Sequence, residues 1–471
     1  MRSGRGSALL LGVLVVGLGS WISPCLQAAE TKSWRAGASA VDITPVQPMW
    51  MSGYAGRDRP AEGTLTKLWA KALVLEDPRG ERVVMVTLDL VGIGREVSLP
   101  LRQSLKKEFG LEMRQIAFCT SHTHTGPVVG ANLGSMYSYG PEQQKLVDAY
   151  TLKLHADVTR AVGEAIADLQ PSELAWAVGH ATFAVNRREN READVPELRE
   201  KGLLKGPIDH DVPVLQVKRG DKVRAIVFGY ACHSTVLSFY QWSGDYPGFA
   251  QIDLQQAYPG AIAMFWAGCG ADQNPLPRRT VELAQEYGSR LAKAVQKTLE
   301  GPLKPIEGQL DSAYSEIDVV FDTLPTKAQI EETLKTGNKY EQGRARHLLM
   351  TIEREGKLSP TYPYPIETWR LGNDLLMVVL GGEVVVDYSI RIKSELGPET
   401  TWVAGYSNDV MAYIPSVRVL KEGGYEGASS MIYYGQPTIW AESIEESIMQ
   451  EVHRQAALLR KEATATSQTG K

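Results

Sequence analysis

Of the 471 residues only 4 are cysteine and only 8 are histidine. Cys25 lies in an N-terminal stretch expected to be removed, which leaves Cys119, Cys232 and Cys269. Three thiols cannot all pair, so a disulfide scaffold is excluded, and each reads as a small buried hydrophobe in an apolar, strand-like context. Basic excess is also missing: the net charge is −5 and the pI is near 6.0, which argues against nucleic acid as the partner. Beyond the N-terminus no apolar run is long enough for a membrane helix. The chain shows no internal sequence repeat and no low-complexity domain.

What is present starts with Met1-Arg2-Ser3-Gly4-Arg5 and an apolar core from Ala8 to Leu18, too short to span a bilayer comfortably. This reads as a secretory signal peptide over residues 1–29, cut near Leu26-Gln27-Ala28-Ala29. A retained anchor is the second reading. Cys25 has no convincing lipobox, so no lipoprotein is predicted. Export would place the mature chain in the periplasm or outside the cell.

From about Trp34 the chain alternates apolar strand-like runs with longer helical patterns, which predicts an α/β fold: a layered mixed sheet with flanking helices. Strands are expected over Arg82–Leu88, Ile116–Cys119, Ala225–Tyr230 and Ala261–Trp266. Long helices are expected over Glu142–Leu169, Glu282–Leu299 and Glu442–Glu462. Lys327 to Glu355 is charged and helical, Ser359 to Pro365 reads as a Pro-rich surface connection, and Gly372-Asn373-Asp374 as a hairpin turn before Leu375–Leu380. One large domain over 34–462 with a polar, flexible tail at 463–471 accommodates the pattern. His122, His233, the Gly268 loop and Glu383 each come just after an apolar strand, where open α/β sheets put their binding crevice.

His122-Thr123-His124, delivered at the end of a strand and followed by Gly126-Pro127, looks like half of a metal site. Imidazoles suit zinc where no redox chemistry is implied. The pair reads equally as two loop histidines capped by the flanking threonines. A hydrolytic zinc site needs three or four protein ligands and one open position, so other donors must come from far away in sequence. His233 is the best second source, although a lone histidine is more often a hydrogen-bonded core residue. Glu383 follows five apolar residues and two glycines, an awkward place for a carboxylate unless something positive meets it. The other reading of Glu383 is an acid at the start of the following helix.

Taken in order, Ala38–Pro45, Met51-Ser52-Gly53-Tyr54, Thr87–Leu90, Ser121–Pro127, Asn186-Arg187, His233-Ser234-Thr235, Gly381-Gly382-Glu383 and Tyr425–Ser429 resemble the neutral ceramidases, from about Ala38 to Gly435. The resemblance implies a zinc amidase with one zinc ion per chain, bound by His122, His233, Glu383 and Tyr413. On sequence alone Tyr413 is a core aromatic. The resemblance further implies that His124 stands beside the metal-bound water, and that Arg187 and Tyr425 complete the catalytic donors. The implied substrate is an N-acyl compound of the ceramide type, cleaved by metal-activated water to fatty acid and sphingoid base, and the implied further partner is a membrane surface touched peripherally. A non-lipid amide or ester, such as an acyl-amino sugar or a lactone, is the alternative, and an inactive lipid- or glycan-binding relative a third. Asn274 stands where the family carries a serine once proposed as nucleophile; a carboxamide is no nucleophile, so a serine-acyl route is excluded there. The resembled family carries a separate C-terminal β-sandwich domain, and none is expected within residues 34–471.

Overall fold

The computed structural model describes residues 33–469, with side chains through residue 460, and a few isolated positions near the N-terminus. The expected signal peptide falls outside the described residues. Ser33–Lys471 behaves as one compact unit. Among the described residues no helix is long and apolar enough to cross a membrane.

The mixed α/β architecture with flanking helices is the one expected, and its sheet portion is divided among three larger mixed sheets. In chain order the first contains β1 (Arg35–Asp42), β2 (Trp69–Glu76), β3 (Arg82–Leu88) and β4 (Ile116–Thr120), with a short fifth strand at Gln170–Pro171 on its β1 edge. The second contains β5 (Glu173–His180), β6 (Asp211–Arg219), β7 (Lys222–Tyr230) and β8 (Ile262–Ala267). The third contains β9 (Leu310–Val320), β10 (Thr361–Leu371), β11 (Leu375–Leu380) and β12 (Thr401–Ala404). In each sheet the four strands lie side by side in sequence order, the first three antiparallel and the fourth parallel to the third. A parallel return needs a crossover, and helices α1 (Arg95–Phe109), α3 (Asp245–Ala257) and α7 (Val386–Leu396) supply it in the three sheets. The same four-strand plan is thus used three times, a repeat of topology with no repeat of sequence.

The sheets share a central core in which Leu73, Met85, Val214, Phe228, Trp369 and Met377 from all three meet. Trp266 packs edge-on to Trp369 at 6.0 Å and against Trp402 at 6.5 Å, both rings almost fully buried. Alternate residues of β2 divide between two cores: Leu73 and Leu75 face the centre, while Ala72 and Val74 face α1 and α2 (Pro141–Ala167). Two-sided burial is why these strands read as continuous apolar runs.

Several expectations need correction. The Pro-rich stretch is the start of β10, not a surface connection, and Tyr364 within it is fully buried. Thr361 to Pro365 pairs with β9 alone, because β11 joins only from Ile366, so the prolines sit where one side of the strand has no ladder to donate to. The charged helical segment is two helices, α5 (Lys327–Thr336) and α6 (Lys339–Glu355), broken at Gly337, with Asn338 capping the second. The last helix, α8 (Ile444–Thr469), runs past Glu462 into the segment expected as a flexible tail. The three remaining cysteines are free and buried, as expected; burial pushes the Cys119 thiol up to about 12.

Candidate metal centre

The strand ends of the three sheets are stitched to one another, and the candidate residues project from the stitched loops. Gly405 after β12 donates to Ala267 O at the end of β8 (3.0 Å), and Thr120 at the end of β4 donates to Tyr406 O (3.1 Å). Asn408 bonds Phe118 twice, through its backbone N–H (2.7 Å) and its side-chain oxygen (2.9 Å), from a left-handed φ of 65°. Ser234 Oγ donates to Ser121 O at 2.6 Å, joining the β4 and β7 loops.

His122 arrives from the β4 loop with φ 58°, a left-handed conformation a non-glycine residue holds only when its surroundings fix it. Its Nδ1 donates to Val91 O at 2.6 Å, and His233 Nδ1, on the loop after β7, donates to Gly270 O at 2.8 Å. Each carbonyl fixes the tautomer, leaving a lone pair on Nε2 aimed inward, the arrangement that metal-ligating histidines adopt. Glu383 and Tyr413 come as a register pair on two short parallel strands, Glu383–Val384 and Tyr413–Ile414. That pairing needs Gly382, whose φ is 74° and whose added Cβ would lie 2.5 Å from Ile414 Cγ1.

The four loops deliver their donors to one point. Glu383 Oε2 is 3.1 Å from both His122 Nε2 and His233 Nε2, His124 Nε2 is 3.1 Å from His122 Nε2, and the Tyr413 hydroxyl is 3.3 Å from His233 Nε2. Oε2 nevertheless has no hydrogen-bond partner among the described residues. Among the described residues, the nitrogen donors of His122, His124 and His233 lie within 4.8 Å of one another as a group able to hold a metal ion. All five side chains are at most 9% exposed. Burial, with Arg187 beside it, depresses His233 to about 4, and burial together with the other two imidazoles holds His124 well below its usual value. Burial alone would raise Glu383, but His122 and His233 overcome it and keep the carboxyl well below its usual range. Two neutral imidazole nitrogens and a carboxylate oxygen therefore converge in a buried pocket, a donor set that fits a cation.

Arg187 joins the centre through Tyr413, donating Nη2 to its hydroxyl at 3.1 Å, and is held by Glu426 Oε1 (2.7 Å) and Asn274 Oδ1 (3.3 Å). Tyr413 itself is pushed well above its usual value by burial and by the Glu383 charge, and Arg187 works against both. Tyr425 stands at the mouth, 40% exposed, edge-on to Tyr413 at 5.3 Å. All seven residues singled out from the sequence thus converge. Sequence reasoning missed Tyr434, whose hydroxyl donates to Glu383 Oε1, Tyr406 packed on His122, and Glu426 behind Arg187. Tyr434 lies one residue inside the end of the stretch over which the family resemblance runs, the one signal that could have found it. The Gly268–Pro275 loop holds the others in place: Gln273 O accepts from His233 N (2.9 Å), and Asp272 O from Arg187 N (2.8 Å).

Two consequences follow at single residues. Gly53, at φ 98°, packs so closely on His124 that an added Cβ would lie 2.5 Å from its Cγ and Nδ1. If the centre is the zinc hydrolase site proposed below, Gly53→Ala is expected to displace the ring and lower kcat about 10- to 100-fold without loss of the metal, measured by steady-state kinetics and metal analysis. Asp409, on the loop leading to Tyr413, is pushed up to about 7 by burial; Tyr362 donates to its Oδ2 (2.7 Å) while its Oδ1 has no partner. Because the folded carboxyl holds its proton more tightly than the unfolded one, its stabilising contribution is complete below the ordinary carboxyl pKa of about 4 and is lost as pH rises through 7. Asp409→Asn is expected to be more stable than the parent at pH 8.5 by about 2–4 kcal/mol and to differ little at pH 4. Denaturant midpoints of metal-free protein at the two pH values read the difference.

The fold and the centre together describe a mixed α/β protein organised around a buried imidazole, carboxylate and phenol cluster. Residues 34–264 match the family model of the neutral/alkaline non-lysosomal ceramidases, N-terminal domain. Neutral ceramidase A of Dictyostelium discoideum is 26% identical over 270 residues, 54% of this chain and 37% of that one. The neutral ceramidase of Pseudomonas aeruginosa is 24% identical over 332 residues, 64% of this chain and 47% of that one. The matched stretch therefore spans less than half the length of either relative. The crystal structure of the P. aeruginosa protein superimposes with a TM-score of 0.70 at 22% identity, covering 91% of this chain and 75% of that chain, so the fold is shared.

Proposed function

We propose that the protein is a zinc-dependent amidohydrolase that cleaves the amide bond of an N-acyl substrate of the ceramide type, working after export by its N-terminal signal. The observation that carries the reading is the convergence of two inward-aimed imidazole lone pairs on an unpartnered carboxylate oxygen at 3.1 Å. His122, His233, Glu383 and Tyr413 would hold the ion. Zinc, when bound, supplies Lewis-acid activation of water and of the scissile carbonyl.

The chain's own groups do the rest. Tyr434, donating to Glu383 Oε1, fixes the carboxylate so that Oε2 faces inward. Arg187 favours the phenolate of Tyr413 and, with Tyr425, lines the approach as a donor for a carbonyl oxygen gaining negative charge. His124 is neutral at physiological pH with a free Nδ1, and can accept a proton and pass it to the departing amine, which cannot leave as an anion. The ceramide type rests on the names of the relatives. Stripping the metal, restoring zinc and following fatty-acid release from a short-acyl fluorescent ceramide tests both parts. Release that returns at one zinc per chain supports the reading, a protein that binds no zinc defeats it, and zinc without release defeats only the substrate.

A further inference from the structure

Beside the centre lies a cleft of about 670 Å³ whose inner end is formed by Arg187, Asn274 and Tyr425, so that it opens onto the side of the centre where Arg187 meets Tyr413. Its walls are dominated by charge. Four arginines and four glutamates line it, and Arg188 with Glu422 (2.9 Å) and Arg278 with Glu192 (3.0 Å) form ion pairs along its sides. Leu276 is the one aliphatic side chain among the lining residues, and it is 1% exposed.

An acyl chain laid here would gain little, because a methylene is worth about 0.8 kcal/mol only when it leaves water for apolar surroundings. It would also strip water from paired charges, which is costly. A strongly anionic group fares no better, since carboxylates match guanidiniums one for one. What the walls do suit is a neutral group with many hydroxyls, each able to donate to a carboxylate and accept from a guanidinium. The exposed ring of Tyr425 adds a flat face for the C–H side of a saturated ring.

Resting on the amidohydrolase reading, we propose that this cleft is a subsite for a neutral, polyhydroxylated, sugar-like group carried by the substrate beside its scissile amide. An N-acyl amino sugar and a sugar-headed N-acyl lipid share that chemistry. The test compares kcat/KM of the zinc-loaded enzyme on N-hexanoyl-sphingosine, its 1-O-glucoside and N-hexanoyl-glucosamine, for the parent and an Arg278→Ala, Glu192→Gln double variant matched in zinc content and Tm. A sugar-bearing compound is expected to be preferred at least tenfold over the plain one, through KM, and the variant to lose that preference; which compound is preferred names the source. Preference for plain N-hexanoyl-sphingosine, or a ratio the variant does not move, overturns the subsite. If zinc binds and none of the three is cleaved, the substrate part of the proposed function falls and calorimetry with the same compounds decides the cleft. Binding at least tenfold tighter to the parent than to the variant keeps it, and no measurable binding overturns it.

Discussion

Glu383→Ala is expected to weaken zinc binding by about 10³-fold or more, roughly 4 kcal/mol, and to lower kcat/KM by at least as much. The size follows from the position of the carboxylate. Among the described residues it is the anionic group paired with the two inward-aimed imidazoles, and it reaches both at 3.1 Å. Without it the site would bind a divalent ion with neutral nitrogens and a phenol that burial keeps protonated. Glu383→Gln keeps the shape and a neutral oxygen, and should lie between the two. Competition with a chromogenic chelator measures the affinity; unchanged zinc affinity in the alanine variant would remove Glu383 from the ligand set.

His124→Ala separates chemistry from metal binding. The variant is expected to keep its zinc and lose about 10²- to 10⁴-fold in kcat, the range for a positioned proton-transfer group. The geometry makes the test sharp, because His124 Nε2 is as near His122 Nε2 as Glu383 Oε2 is, and the three histidines form one possible ligand group. His124 differs from His122 and His233 in that its Nδ1 has no carbonyl to fix the tautomer and its Nε2 is not paired with Glu383 Oε2. A ligand is held by such a bond, while a proton carrier needs both nitrogens available. Loss of zinc from the variant would make His124 a ligand instead.

Much of this was legible in the sequence because position along a strand is legible. The runs Arg82–Leu88 and Leu375–Leu380 were expected with the bounds observed, and His122, His233 and Glu383 stood out as polar residues at the ends of apolar runs. Tyr413 was not legible in that way. A tyrosine next to Ile414 and Pro415, 3% exposed, has the pattern of a core aromatic, and only the family resemblance singled it out. Tyr434 and Glu426 act through contacts 51 and 239 residues away in sequence, which no local pattern encodes. The threefold use of one sheet plan was hidden as well, since topology is conserved by backbone pairing while the side chains at equivalent turns do different work. Proline in β10 misled because its cost depends on whether a neighbouring strand lies on that side, a tertiary fact.

Zinc-edge anomalous diffraction from crystals of zinc-loaded protein tests the central claim most directly. The account predicts one strong peak per chain, about 2.0–2.2 Å from His122 Nε2, His233 Nε2 and a Glu383 oxygen, with the Tyr413 oxygen as the fourth protein contact and His124 outside bonding distance. A peak elsewhere, or one bonded to His124 in place of Glu383 or Tyr413, would contradict it.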